Sequence, residues 1–360
     1  MITQKSSPKK ILITGNMGYV GSTLVSSLRE KYPGIEIYGY DTGFFATCIT
    51  ENSLLPEINL NKQFFGDVRN FPKEILFGID TVIHLAAISN DPMGKEFEEI
   101  TSQINYKSTI QIAEYAKLAG VKNFVFASSC SVYGYASEYA KKETDELNPL
   151  TAYATSKIDS EIGLKKLATD TFIITCLRFA TACGWSDRLR LDLVLNDFVT
   201  SALLLGEISI LSDGSPLRPL IDVKDMSRAI DWASKREADN GGNFLIINIG
   251  SNNANYSIYD IAISVKKILT NTTVSINKDA APDKRSYKVS FDLFNELAPN
   301  YTPLINIDES ILNLVGGLKN MNFNDKYFRE SNLIRLFKLN NLKSNNKINN
   351  NLYYIKNSKK

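Results

Sequence analysis

Histidine is almost absent from this chain of 360 residues, since His84 is the only one. Any mechanism that pairs a serine or a cysteine with a histidine base would therefore have to use that residue. The four cysteines are scattered along the chain, and no two of them form a Cys-x-x-Cys pair. This spacing argues against a structural zinc site and against a disulfide framework, so we assign no metal site.

A strong excess of charge and a long apolar run are also missing. The 41 basic and 39 acidic residues leave a formal net charge of +2, which gives no sign of a surface for nucleic acid or for an anionic membrane. No run of about 18 apolar residues occurs, and the polar N-terminus does not resemble a signal peptide. We therefore expect a cytoplasmic protein that binds neither nucleic acid nor membrane.

Three spaced glycines follow the first apolar run of the chain. Residues 10–14, a short run rich in β-branched side chains, lead into Gly15, Gly18 and Gly21. This spacing suits a tight turn, close approach of the backbone to a pyrophosphate, and a helix whose free N–H groups bind the anion. A second predicted strand ends at Asp41, where a carboxylate would bind the adenosine ribose of a dinucleotide and repel a 2′-phosphate. This set predicts a site for NAD rather than NADP.

Strands and helices alternate through the first half of the chain. Further strands are predicted near 63–68, 80–87, 121–127 and 171–178, with one long helix over 96–119. The fold class is therefore α/β, with a doubly wound parallel Rossmann sheet. We expect an NAD-binding domain over 1–182 and a smaller, interwoven substrate-binding domain over 183–343, with a strand at 244–250 returning to the main sheet. The Asn- and Lys-rich residues 344–360 predict a disordered tail.

Tyr153 and Lys157 are four residues apart in a predicted helix, so their side chains share one face. A lysine ammonium beside the phenol is expected to lower the pKa of Tyr153 from its ordinary value of about 10, which makes it an acid or base usable near neutral pH. Ser128 and Ser129 end the fifth predicted strand, and ligands bind beyond the carboxyl ends of such strands. The serines, the Tyr153 helix and the glycine loop should therefore face one crevice. For His84, a structural role at its strand end is favoured over catalysis.

Taken together, these motifs resemble those of the extended short-chain dehydrogenase/reductases, in particular the nucleotide-sugar epimerase/dehydratase group. The resemblance runs from about residue 9 to residue 285 and continues more weakly to about 343. It rests on the glycine motif, Asp41, Gly66-Asp67-Val68, His84-Leu85-Ala86-Ala87, Asn105, Ser128-Ser129 with Val132-Tyr133-Gly134, Tyr153-x-x-x-Lys157, Leu177-Arg178, Asp213-Gly214 with Arg218, Asn248-Ile249-Gly250 and Arg285.

The resemblance implies a role for each matched position. Ser129, Tyr153 and Lys157 would be the catalytic residues. The cofactor would be NAD, bound by Gly15, Gly18, Tyr19, Val20, Gly21, Asp41, Asp67, Val68, Ala86, Ala87, Asn105, Tyr153 and Lys157. A nucleotide-sugar substrate would be bound by Ser129, Arg218 and Arg285, since a guanidinium fork suits a diphosphate. A homodimer, formed through the helices around 97–119 and 151–167, is also implied.

Departures from the family pattern narrow the set of reactions that the resemblance allows. The 4,6-dehydratases and uronic acid decarboxylases of the family carry an acidic residue within two positions after the catalytic Ser or Thr, where this chain has Cys130 and Ser131. The favoured hypothesis is therefore a 4-epimerase that works through a transient 4-keto sugar. A 4,6-dehydratase with an acid elsewhere and a 4-keto reductase are alternatives in the same fold, and a non-catalytic NAD-binding regulator is a remote one. The nucleotide and the sugar stay open.

Overall fold

The computed structural model describes residues 8–50, 54–135, 139–277 and 286–355. Its strands are β1 (Lys10–Thr14), β2 (Glu36–Asp41), β3 (Lys62–Phe65), β4 (Thr81–His84), β5 (Asn123–Ser129), β6 (Ile173–Phe179), β7 (Thr181–Cys183), β8 (Glu207–Ile210), β9 (Leu217–Asp222), β10 (Phe244–Ile249), β11 (Asn255–Ser257) and β12 (Thr273–Ile276). Seven of these form a parallel sheet in the order β10-β6-β5-β4-β1-β2-β3. The doubly wound α/β class predicted from the sequence is confirmed.

The centre of this sheet explains where a ligand can bind. β1 pairs with β2 on one side and with β4 on the other, so the order of the strands reverses at β1. Alternate residues of β1 pack into different cores on the two faces of the sheet, with Ile11 and Ile13 on one face and Leu12 on the other. A crevice opens beyond the carboxyl ends of β1 and β4, as at other reversal points of this kind.

The helices are α1 (Tyr19–Lys31), α2 (Asp91–Glu96), α3 (Glu98–Thr101), α4 (Ser108–Leu118), α5 (Ala152–Lys165), α6 (Val194–Leu205), α7 (Val223–Ala233), α8 (Ile258–Ile268), α9 (Asp292–Leu297), α10 (Ile307–Asn320) and α11 (Arg335–Ser344). The single helix predicted over 96–119 is instead divided, because a π-helical segment, Ser102–Lys107, lies between α3 and α4. In that segment the carbonyl oxygen of Asn105 accepts hydrogen bonds from the hydroxyls of Thr109 and Ser160. In the described part of the chain, no helix is both long and apolar enough to cross a membrane.

A second layer is built mainly from residues after 182. Strands β11, β9 and β7 form one small sheet, and β12 pairs with β8 in another. Helices α6, α8 and α10 pack around a separate apolar core that includes Leu195, Ile261 and Ile311. β10 leaves this layer and pairs in parallel with β6 of the main sheet, as its apolar run predicts. The two layers meet along the crevice.

The C-terminal segment differs from the predicted disordered tail. After α11 the chain turns at Asn346, and Ile348 then forms an isolated bridge with Tyr354. Ile348 and Leu352 are buried in the same core as Leu339 of α11. The prediction of disorder is therefore wrong for residues 344–355, because two apolar side chains among many asparagines are enough to fix the segment on the core. Residues 356–360 lie outside the described residues.

Candidate functional site

A cavity of about 370 Å³ lies at the carboxyl ends of the central strands. Fourteen of the residues predicted to form the site line it: Gly15, Gly18, Tyr19, Val20, Gly21, Asp41, Asp67, Val68, Ala86, Ala87, Ser129, Tyr153, Lys157 and Arg218. The structure thus brings the glycine loop, the serine strand and the Tyr153 helix to one crevice. Arg285, predicted to bind substrate, lies outside the described residues.

The glycine loop turns sharply between β1 and α1. Gly15 has a φ of +76°, and a side chain there would place Cβ 2.6 Å from the backbone nitrogen of Ala86. Only glycine therefore lets the loop lie against the end of β4. Helix α1 begins just after Gly18, which has no side chain to cap it, and its first turn contains no acidic residue. Its first N–H groups can therefore bind an anion in the cavity.

Two acidic residues line the cavity beyond the glycine loop. Oδ1 of Asp41 accepts a hydrogen bond from the backbone of Gly43 at 2.7 Å, and Oδ2 accepts one from Met17 at 3.1 Å. Burial raises the pKa of this carboxyl above its usual value. Asp67 forms an ion pair with Arg69, two residues further on. Both carboxylates are thus held in place at the wall of the cavity before any ligand binds.

The three predicted catalytic side chains meet at the other end of the cavity. Thr151 caps helix α5, accepting a hydrogen bond from the backbone of Ala154 at 3.2 Å. Lys157 is 3% exposed, and its ammonium lies 5.6 Å from the centre of the Tyr153 ring. Ser129 lies at the end of β5, and its hydroxyl acts on the Tyr153 phenol by lowering the pKa of that group. The sequence spacing therefore produces the expected cluster.

The expected pKa of Tyr153 is not found. Burial raises the pKa of the phenol to about 12, and the Ser129 hydroxyl opposes that rise only in part. Burial also lowers the pKa of Lys157 to about 7, and its ammonium donates to the carbonyl oxygen of Ala127 at 2.7 Å. The prediction that Lys157 lowers the pKa of Tyr153 is wrong for the ligand-free protein, because burial dominates and the groups that lower this pKa are Ser129 and Arg190, not Lys157.

A buried network behind the serine strand was not foreseen from the sequence. Arg178 of β6 binds Glu161 of α5 through two nitrogens, at 3.0 and 2.7 Å, and also donates to the Tyr133 hydroxyl at 3.0 Å. Ser128 donates to the same Glu161 carboxylate at 2.6 Å. The network fixes α5 against the sheet and so sets the position of Tyr153. The signal was present, since Glu161 follows Lys157 by one helical turn.

Three other residues singled out in the sequence have structural contacts. Asn105 does not line the cavity; its side chain exchanges hydrogen bonds with the backbone of Ile88 and also donates to Ser156, so it positions the loop after β4 rather than contacting the cavity. His84 binds Thr14 through Nδ1 and Thr109 through Nε2, and burial lowers its pKa to about 3, which agrees with a structural role. The Cys130 thiol is buried and donates to the carbonyl oxygen of Arg178.

Distant parts of the chain add charged residues to the site. We call Arg188, Arg190 and Arg335 the arginine wall. Arg188 is paired with Glu57 at 2.8 Å and Arg190 with Asp192 at 2.9 Å, whereas only Arg190 and Arg335 line the cavity itself. The sequence showed Arg188 and Arg190 as basic residues before α6, but no spacing signalled Arg335, which lies at the start of α11.

An acidic residue outside the family position also lines the cavity. Asp91, at the start of α2, accepts a hydrogen bond from the Thr151 hydroxyl at 2.8 Å. Its charge acts on the phenol of Tyr153, whose pKa it raises in addition to the larger effect of burial. Its charge also adds to the effect of burial in raising the pKa of Tyr287, a buried residue that lines the same cavity. Asp91 is therefore a carboxylate that lines the cavity and acts on the catalytic cluster, and the sequence analysis did not single it out.

Comparisons with known proteins agree with this arrangement. The model of the NAD dependent epimerase/dehydratase family matches residues 11–250. A Bacillus subtilis protein named as an uncharacterized UDP-glucose epimerase is 29% identical over 61% of this chain and 71% of its own length. An Arabidopsis thaliana UDP-glucuronic acid decarboxylase is 25% identical over 88% of this chain and 71% of its own. A solved Bacillus cereus UDP-glucuronic acid 4-epimerase, in complex with UDP-glucuronic acid and NAD, is 26% identical, covers 87% of this chain and 99% of its own, and has a TM-score of 0.71.

Proposed function

Because this chain belongs to the NAD dependent epimerase/dehydratase family, we propose that it is an NAD-dependent nucleotide-sugar 4-epimerase. The observation that carries the proposal is the cluster of Ser129, Tyr153 and Lys157 at one end of the cavity, with no carboxylate at the two positions after Ser129. Cys130 is turned into the core and Ser131 is a hydroxyl residue. Neither side chain can serve as the acid of a dehydratase of the usual pattern.

The cavity fits the dinucleotide that the family uses. The uncapped start of α1 and the glycine loop would bind its pyrophosphate. Asp41, which the backbone of Met17 holds at the end of β2, would bind the adenosine ribose. Asp67 and Val68 would contact the adenine, and Ala86 and Ala87 leave room along the wall. NAD held by these residues would supply a hydride acceptor and donor, and its oxidised ring would add a positive charge to the site.

Tyr153 would move the proton at the reacting sugar oxygen. In the ligand-free protein its phenol holds a proton at neutral pH, because its pKa is about 12. Arg190 and the Ser129 hydroxyl both lower that pKa, so further positive charge at the site favours the phenolate. The phenolate oxygen would then take the proton of the C4 hydroxyl and later give it back, while Ser129 hydrogen-bonds the same oxygen. Lys157, with a pKa of about 7, can exchange a proton near neutral pH.

The substrate would occupy the cavity between Tyr153 and the second layer. Arg218 lines this part, with its guanidinium carbon 5.6 Å from the centre of the Tyr287 ring. We assign it to the diphosphate of the nucleotide sugar, the role also predicted for Arg285. A homodimer through the helices near 97–119 and 151–167 is part of the same proposal, with Ile162 and Leu118 as exposed apolar residues on those helices. Light scattering would measure its mass.

A 4,6-dehydratase is the second candidate, and Asp91 is the observation that favours it. Its carboxylate lines the cavity and acts on the charge state of Tyr153, so it lies where an acid or base can reach a bound sugar. In such an enzyme Asp91 would move the proton that accompanies loss of water, although it lies outside the position that the family uses.

The products distinguish the candidates. We would incubate the protein with UDP-, dTDP-, GDP- and CDP-hexoses without added reductant, and analyse products by mass spectrometry and NMR. An unchanged mass with inverted configuration at C4 is the expected result. Loss of one water that disappears in Asp91→Asn would instead establish the dehydratase. Conversion of a 4-keto sugar that occurs only with added NADH would establish the reductase.

A further inference from the structure

The side chain of Arg335 is buried in the wall of the cavity. It is 1% exposed, and it lies at the first residue of α11, more than 180 positions after Tyr153. Its Nη2 donates to the carbonyl oxygen of Arg188 at 2.7 Å, and its guanidinium carbon lies 4.7 Å from the centre of the Phe45 ring. These contacts hold the guanidinium in one place, where it forms part of the cavity lining.

Arg335 differs from its two neighbours in lacking a counterion. Among the described residues nothing accepts a hydrogen bond from its Nη1, although that atom is buried. Two groups favour its charge: the Cys48 thiol, whose own pKa is raised by burial, and Asp192, which is already paired with Arg190 at 2.9 Å. Burial lowers the pKa of Arg335 to about 10. A buried cation of this kind is costly unless something else supplies the missing charge and acceptor.

The neighbours of Arg335 locate it along the cavity. Phe45, whose ring contacts the Arg335 guanidinium, is four residues after Asp41, the predicted ligand of the adenosine ribose. Arg190, whose charge acts on Arg335, also interacts with the phenols of Tyr19 and Tyr153. The neighbours of Arg335 therefore connect it with both the adenosine end and the catalytic end of the cavity. The anionic part of a dinucleotide lies between its two nucleosides.

We propose that Arg335 binds the diphosphate of the dinucleotide cofactor, as a second anion-binding group in addition to the glycine loop and the start of α1. The inference deepens the proposed function and rests on its cofactor part, not on the reaction. A guanidinium offers two parallel N–H donors to phosphate oxygens, and Nη1 of Arg335 has that capacity unused. The diphosphate of a nucleotide sugar has the same chemistry, but we assign that ligand to Arg218.

The C-terminal segment holds Arg335 in position. Lys338, one turn along α11, donates to the Thr47 hydroxyl at 2.9 Å. Arg69, the partner of Asp67, donates to the carbonyl oxygen of Asn351 at 2.8 Å, and its guanidinium lies 3.6 Å from the centre of the Tyr353 ring. The segment that carries Arg335 is therefore fixed to the loops after β2 and β3, which border the adenosine end. This gives residues 345–355 a reason to be ordered.

The test measures binding rather than turnover. Protein stripped of cofactor would be titrated calorimetrically with NAD, ADP-ribose and UDP, comparing wild type with Arg335→Met, Arg335→Lys and the control Arg329→Met. Arg329 is a half-exposed arginine paired with Asp197. Because a hydrogen bond to a charged group contributes more than a neutral one, Arg335→Met should raise the Kd for NAD and ADP-ribose by about 10- to 100-fold. UDP binding should not change. Arg335→Lys should fall between, because it keeps the charge and loses the fork.

Three outcomes would count against the proposal. Wild-type affinity of Arg335→Met for NAD and ADP-ribose would overturn it, and so would a loss confined to UDP, which would assign Arg335 to the substrate diphosphate. An equal loss in Arg329→Met would show a general charge effect instead. If Arg335→Met does not fold, as judged by circular dichroism, the same contrast in Arg335→Lys decides. A protein that binds NAD through Arg335 but makes no C4 epimer would refute the proposed reaction and leave this inference standing.

Discussion

The catalytic end of the cavity and the arginine wall are both built from buried charged groups, but they differ in what balances those charges. At the catalytic end, Arg178 donates through two nitrogens to the Glu161 carboxylate, and Lys157 donates to a backbone carbonyl. In the arginine wall, Arg335 keeps a buried nitrogen without an acceptor among the described residues. The first region is balanced within the chain, and so are Arg188 and Arg190 of the second, whereas Arg335 would be balanced by the anion proposed to bind there.

The two regions also differ in how their protons behave. Burial moves the pKa of Tyr153 to about 12 and that of Lys157 to about 7, so both can change protonation as charges around them change. Arg190, although burial opposes its charge, has a raised pKa because Asp192 is paired with it. The catalytic end is thus suited to moving protons and the wall to holding a fixed charge. This division can be tested region by region.

The largest expected effect is that of Tyr153→Phe on turnover. Removing the phenol oxygen takes away the acid and base of the proposed reaction, so kcat should fall by about 10²- to 10⁴-fold. NAD should still bind, because the arginine wall and the glycine loop are unchanged. Steady-state kinetics and calorimetry would measure the two effects. If Tyr153→Phe lost NAD binding as strongly as Arg335→Met is expected to, the division between the two regions would be contradicted.

The next effect is on stability, and it separates the two buried arginines. Arg178→Met leaves the Glu161 carboxylate buried and unpaired, so the free energy of unfolding should fall by about 3 to 5 kcal/mol. The double variant Arg178→Met/Glu161→Gln should recover part of that loss. Arg335→Met leaves no carboxylate unpaired, so in cofactor-free protein its loss should be clearly smaller. Urea unfolding of the three variants gives the comparison, and equal losses for the two single variants would contradict it.

A further effect is a pH dependence of stability that comes from Lys157. Its folded pKa of about 7 lies below the unfolded value of about 10.4. Between these values the unfolded chain holds a proton that the folded chain has released, so this group makes the cofactor-free protein more stable as pH rises. Above about pH 10 the raised pKa of Tyr153 acts in the opposite direction. The titration of Tyr153 therefore limits the pH range in which stability rises to about pH 7 to 10.

Urea unfolding at several pH values inside that window would measure the slope. Lys157→Met should flatten the rise of stability with pH seen in the wild type. Arg335→Met should keep the rise, because the pKa of Arg335 is about 10 and it stays charged across most of the window. An unchanged slope in Lys157→Met would show that Lys157 is protonated in the folded protein throughout.

Short-range patterns in the sequence account for much of the site. Gly15, Asp41, Ser129, Tyr153 and Lys157 could be predicted because fixed spacings and the common edge of parallel strands bring them together. The pKa of Tyr153 could not, because desolvation depends on everything packed around the phenol. The position of Asn105 outside the cavity could not be predicted either, because its side chain is hydrogen-bonded to the backbone of Ile88.

Arg335 shows the limit of such patterns most clearly. No spacing links it to the glycine loop, and its role follows from the carbonyl of Arg188 and the ring of Phe45, which come from two other parts of the chain. The composition of the residues after α11 even predicted disorder. Two buried side chains, Ile348 and Leu352, decide the outcome there instead.

The most direct measurement of the central claim is product analysis after incubation in D₂O, with the best substrate of the nucleotide-sugar panel and no added reductant. The 4-epimerase account predicts a product of unchanged mass, with inverted C4 and no deuterium bound to carbon, because the reacting carbon exchanges no proton with solvent. A product that has lost water and carries deuterium at C5 would contradict it, since elimination toward C6 requires removal of the C5 proton.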